Sequence, residues 1–144
     1  MYIQTVRQLH LTLRPERLAI CRLGAADAIP PWAASSRFSS ITRTDDELSV
    51  VCADADAPPE IRQDRGWRAF QVEGPLPFEA TGILAAIAAP LAAAGIPIFA
   101  ISTFDTDYVL VKDADARRAV GALTAAGHRV SNATSPPQEQ MTEL

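Results

Sequence analysis

The sequence has little of what most chemistry requires. It holds two cysteines and two histidines in 144 residues. Cys21 and Cys52 sit inside apolar runs rather than at a C-x-x-C spacing, so a zinc or thioredoxin-type site finds no support. A bridge between them would need an oxidising compartment, and two buried thiols are the simpler expectation. Basic runs are missing as well: 13 Lys and Arg stand against 17 Asp and Glu, a net charge of -4. That balance repels a phosphate backbone, and no nucleic-acid partner is expected. No segment approaches a bilayer-spanning length, and the opening MYIQTVRQLHLTLRPERLAI never accumulates the apolar centre of a signal peptide. A cytoplasmic location without membrane contact is the expectation. What remains, 48% hydrophobic and 21% charged, is the composition of an ordinary soluble domain.

An enzyme needs a nucleophile, a base and a stabiliser within reach of one another. His10 falls in a first strand and His128 just after a helix end, and neither has a Cys or Ser partner at a recognisable spacing. Asp105-Thr106-Asp107 and Asp54-Ala55-Asp56 imitate metal-holding carboxylates, yet both lie in turns without a phosphate-binding glycine loop. Neither catalysis, a metal nor a cofactor is expected.

Periodicity supplies the fold. Trp67 to Gln71 alternates at strand period and stops at Glu73-Gly74-Pro75. From Thr81 to Ala94, Ile83, Leu84, Ile87 and Leu91 share one face of a helix that Pro90 should bend and Gly95 should close. Ile96 to Thr103 reads as a strand, turned by Phe104-Asp105-Thr106 into Asp107 to Val111. Asp113 is placed to cap a second helix whose stripe is Ala116, Ala119, Val120, Leu123 and Ala126, ending at Gly127 before a short strand from His128. The order is βαββαβ. RNA-recognition modules share it, but Phe99 and Tyr108 are isolated aromatics with no basic strand beside them.

The N-terminal half looks like a worn copy. Ile41 to Val51 aligns with Ile101 to Val111 at an offset of 60, while the preceding strands, Glu16 to Leu23 and Trp67 to Gly74, align at 51. The first copy is therefore nine residues shorter where the second has its first helix. One turn at Pro30 to Ala33 can stand there, with Trp32 filling the apolar gap, and Ala53 to Arg65 offers no convincing second helix.

Three segments carry a resemblance: Val72-Glu73-Gly74-Pro75-Leu76-Pro77-Phe78 followed by Thr81-Gly82-Ile83-Leu84, the run Gly95 to Val111 with its Ser-Thr-Phe-Asp-Thr-Asp-Tyr hairpin, and Asp46 to Val51 upstream. From about Leu11 to Val130 the chain resembles the ACT domain superfamily, in particular the small bacterial tandem-ACT proteins related to CASTOR-type arginine sensors and to aspartokinase regulatory domains. The resemblance implies an α+β fold of two ferredoxin-like βαββαβ units in tandem, the first degenerate with a shortened first helix. The expected bounds are 11–64 for that unit, 65–131 for the second and 132–144 for a disordered tail.

What the resemblance implies for function is a regulatory or sensor module that binds a free amino acid where ACT units meet. Beside Thr81, where the helix is expected to begin, Gly82, Ile83 and Leu84 would offer backbone amides at a helix N-terminus to the α-carboxylate. Asp107, with the carbonyls around Thr103 and Phe104, would take the α-ammonium. The longer sensors have four units and this chain two, so a complete site calls for a homodimer, and a regulated protein is implied as a further partner. A ligand-free dimerisation module is the alternative.

Overall fold

The computed structural model describes residues 8–132. They divide into two compact units: Glu16–Arg68 with Lys112–Ala114, and the segment ending at Pro15 together with Ala69–Val111 and the chain from Asp115 on.

The first of these has four strands, β2 (Leu18–Leu23), β3 (Ser40–Arg43), β4 (Leu48–Ala53) and the first part of β5 (Gln63–Val72), in the order β3-β4-β2-β5. That is ferredoxin-like order, with the first helix reduced to one 3-10 turn at Pro31–Ala34. Proline opens the turn without losing a helical hydrogen bond. Ala33 is buried and Trp32 packs on the same small core as Cys21, Leu48, Val50 and Cys52, as the sequence predicts. No α-helix forms in this unit among the described residues.

The second unit carries α1 (Ile83–Ala93) and α2 (Ala116–Ala125) on strands β1 (His10–Leu13), β6 (Phe99–Ser102), β7 (Asp107–Lys112), β8 (Arg129–Asn132) and the last part of β5. Their order is β6-β7-β5-β1-β8. Strand β1 lies between β5 and β8, antiparallel to the one (Leu11 opposite Val72) and parallel to the other (Leu11 opposite Val130). Leu11 and Leu13 join the core of Phe70, Val72, Ile83, Ile87, Leu91, Val109 and Leu123. Two expected boundaries therefore differ from the structure. Leu11 to Leu13 belong with the second unit, and the division at 64/65 falls inside β5. An alternating apolar segment announces a strand but carries no record of which core it enters. Asn132, assigned to the tail, is the last residue of β8, and 133–144 lie outside the described residues.

Both expected hairpins form, Ile41 opposite Val50 and Ile101 opposite Tyr108. Their turns correct the repeat offset. Thr44 and Thr103 each donate their backbone N–H three residues on, to Glu47 at 2.9 Å and Thr106 at 2.8 Å. Each threonine hydroxyl also accepts the N–H of that third residue, at 3.2 and 3.3 Å. The structural offset is thus 59, and the apparent match at 60 aligns chemically similar residues one place out of step.

The C-terminal helix ends obey their sequence signals. Gly95 and Gly127 take positive φ, and the six-to-one bonds of a Schellman close follow, Ile96 N–H to Leu91 and His128 N–H to Leu123. Asp113 does not cap α2. It receives Arg17 and Arg68 at 3.2 and 3.1 Å, which hold its carboxyl below the usual range, and Asp115 occupies the N-cap position without a side-chain cap bond. Two guanidinium groups outcompete backbone amides for one carboxylate.

The cysteines are free and buried. Burial pushes the Cys52 thiol up to about 12, with Cys21 beside it adding to the effect, and burial raises Cys21 as well. At about pH 8 the Cys52 thiolate fraction falls on the order of a thousandfold below that of a free cysteine. Iodoacetamide should leave both thiols unmodified in the folded protein and alkylate both in denaturant, read by intact mass. Rapid native labelling would contradict this packing.

Candidate functional site

A pocket of about 380 Å³ opens in the second unit, between the N-terminus of α1 and the β6–β7 turn. Its lining includes Gly82, Ile83 and Leu84 on one side and Thr103, Phe104 and Asp107 on the other. Six of the seven expected site residues are thus brought together. Thr81 is not among the lining residues; it is exposed and precedes the N-cap, because the helix begins at Ile83.

Gly82 is the N-cap residue at φ 80°, a left-handed conformation in which any side chain is strained. A Cβ there would meet nothing within 4 Å, so backbone conformation, and not a close approach, explains the glycine. No side chain caps α1, and its first helical bond runs from Ala86 N–H to Gly82 C=O at 2.9 Å. The amides of Ile83, Leu84 and Ala85 precede that bond, at the positive end of the helix macrodipole.

Opposite them, Asp107 opens β7, and one carboxylate oxygen accepts the Ser102 hydroxyl at 2.6 Å. Its other oxygen has no hydrogen-bond partner among the described residues. Thr103 spends its hydroxyl inside the turn, donating to the Thr106 carbonyl at 3.1 Å, so it shapes the wall. Thr106 is buried and donates its own hydroxyl to the Val72 carbonyl at 2.6 Å, pinning the turn to β5. Leu76 N–H donates to the Asp105 carbonyl at 2.7 Å and ties the Gly74–Thr81 loop to the same turn.

Phe78 and Phe104 wall the apolar side. They are 72% and 78% exposed and meet edge to face at 4.8 Å between ring centroids. Sequence reasoning missed Leu76, Pro77, Phe78 and Ser102. Ser102 had a usable signal, since it ends β6 directly across from Asp107 in a hairpin already assigned. The loop residues had none, because an irregular segment has no period from which a direction can be read.

The described residues contain no group of three or more His, Cys, Asp or Glu that could hold a metal. No helix among them is long and apolar enough to cross a membrane.

Residues 62–125 match the ACT domain model, and a separate N-terminal-domain model matches 16–60. The chain belongs to the ACT domain family. The human protein named cytosolic arginine sensor for mTORC1 subunit 1 is 34% identical across 72% of this chain. The chain spans 38% of that relative's length. A crystal structure of a protein from Agobacterium tumefaciens is 41% identical, covers 90% of this chain and 96% of its own, and superposes with a TM-score of 0.85. At the level of fold, aspartate kinase from Synechocystis superposes with a TM-score of 0.58 at 18% identity, over 91% of this chain and 28% of its own. The tandem α+β architecture implied by the resemblance is the one observed.

Proposed function

We propose that this protein is a regulatory sensor that binds a free amino acid in the pocket between α1 and the β6–β7 turn. The observation that carries the reading is that one pocket joins an uncapped helix N-terminus to a carboxylate with an oxygen to spare. A zwitterion needs donors for its carboxylate and an acceptor for its ammonium, and those two walls offer one each. Leu76, Pro77 and the two phenylalanines leave an apolar face for the side chain.

A second copy of the chain completes this reading. Strand β6 pairs only with β7 among the described residues, and no charged residue occurs between Glu79 and Asp105. An uncharged edge beside an all-apolar helix is what proteins avoid leaving bare in solution. A homodimer covers it and lies beside the pocket mouth.

Thermal unfolding should be followed with each of the twenty amino acids in turn, arginine first because a relative is named for it. A ligand at about a hundred times its Kd adds about 2.7 kcal/mol, enough to raise Tm by about 5 °C or more. If none shifts Tm while sedimentation finds a dimer, the ligand-free dimerisation module replaces this reading.

A further inference from the structure

Helix α1, the donor wall of the pocket, has a defect one turn in. Pro90 lies within it and has no N–H. The carbonyl that would have accepted that N–H belongs to Ala86, four residues earlier. Ala86 is also the residue whose own N–H closes the first turn on Gly82. The turn presenting the amides is therefore joined to the remainder of the helix at the place where one rung is missing.

His128 fills the vacancy. The residue is 4% exposed, and its Nε2 lies 3.0 Å from the Ala86 carbonyl oxygen. Its Nδ1 accepts the backbone N–H of Leu9 at 3.1 Å. An imidazole nitrogen that accepts an N–H carries no proton, so the proton is on Nε2 and is donated to Ala86. The histidine backbone is held in turn, its N–H on Leu123 at 3.0 Å and the neighbouring Arg129 N–H on Leu9 at 2.9 Å.

The geometry points to His128 as a positioning residue for the pocket: it replaces the helix bond that Pro90 deletes and anchors the first turn of α1 to the segment entering β1. Its functional meaning rests on the amino-acid reading above, but the anchoring is testable without any ligand.

Two variants separate the ring nitrogens. His128→Gln places an amide N–H near the Nε2 position and keeps the bond to Ala86. His128→Asn places an amide oxygen near the Nδ1 position, keeping Leu9 and losing Ala86. Amide hydrogen exchange of the Ala86 N–H reports opening of the first turn, with the Leu123 amide in α2 as the internal reference. His128→Asn should speed Ala86 exchange at least tenfold relative to Leu123, and His128→Gln less than threefold. Pro90→Ala, which restores the missing donor, should return the Asn variant to within threefold of wild type. Equal acceleration in both variants, proportional acceleration at Ala86 and Leu123, or no rescue by Pro90→Ala would each overturn the assignment. If the assignment survives while no amino acid raises Tm, the sensor reading alone fails.

Discussion

Asp107→Ala should weaken binding of the stabilising amino acid by about tenfold to a hundredfold while leaving the fold intact. The magnitude is that of one charge-assisted hydrogen bond, roughly 1.5–3 kcal/mol. The fold should survive because Asp107 sits at the first position of β7, and among the described residues the side-chain bond it gives up is the one from the Ser102 hydroxyl. Asp107→Asn is the informative companion. It keeps size and a hydrogen-bonding oxygen but removes the charge, so it should bind with intermediate affinity if the partner is an ammonium. Isothermal calorimetry on both variants, with circular dichroism for the fold, decides the point. Equal affinity in wild type and Asp107→Ala would move the ammonium site elsewhere.

Gly74→Val should be the most disruptive change near the pocket, costing about 3 kcal/mol and abolishing ligand stabilisation. A Cβ at Gly74 would stand 2.9 Å from the Asp105 carbonyl oxygen, 3.2 Å from the Thr106 Cβ and 3.3 Å from the Leu76 nitrogen. The nearest of these is backbone, held by Leu76 N–H on the Asp105 carbonyl and by the Thr106 hydroxyl on the Val72 carbonyl. Neither side can yield without breaking one of those bonds, and overpacking of this kind typically costs 1–3 kcal/mol, occasionally more. The turn that moves is the wall carrying Phe104 and Asp107. Gly74→Ala should show a weaker form of the same effect, and Gly66→Ala makes a useful contrast. Gly66 has open space around it but φ of 82°, so its cost is conformational and leaves the pocket untouched. Urea melts of the three variants, with ligand-induced Tm shifts, separate the two mechanisms. A Gly74→Val protein as stable as wild type would show that the turn is more compliant than its hydrogen bonds imply.

Local chemistry made a large part of this molecule legible. The face of α1 was readable from three- and four-residue spacing, and Ile83, Ile87 and Leu91 are buried as that spacing requires. The helix ends were readable from Gly95 and Gly127, and both hairpins from a polar turn between apolar runs. The missing first helix of the degenerate unit was readable from a length difference, with Trp32 and Ala33 packed where a helix would have been. These signals act over a few residues, through backbone preference and burial of one face, and so survive in a linear string.

What the string could not hold is which segments become neighbours. His10 to Leu13 reads as a strand in any context, yet its place between β5 and β8 depends on partners 57 and more residues away. Strand β5 reads as two-residue alternation, but its buried positions change from Trp67 and Ala69 to Phe70 and Val72, which no single face predicts. Asp113 looked like a cap until two arginines from elsewhere in the chain claimed it. By itself the sequence determined the two-unit α+β character, the helix faces and their C-terminal ends, and the hairpins. Only the tertiary structure decided that Gly74 is a spacer beneath a turn, that Phe78 faces the pocket and that His128 stands in for the bond Pro90 removes, because each depends on distances between segments that no local preference sets.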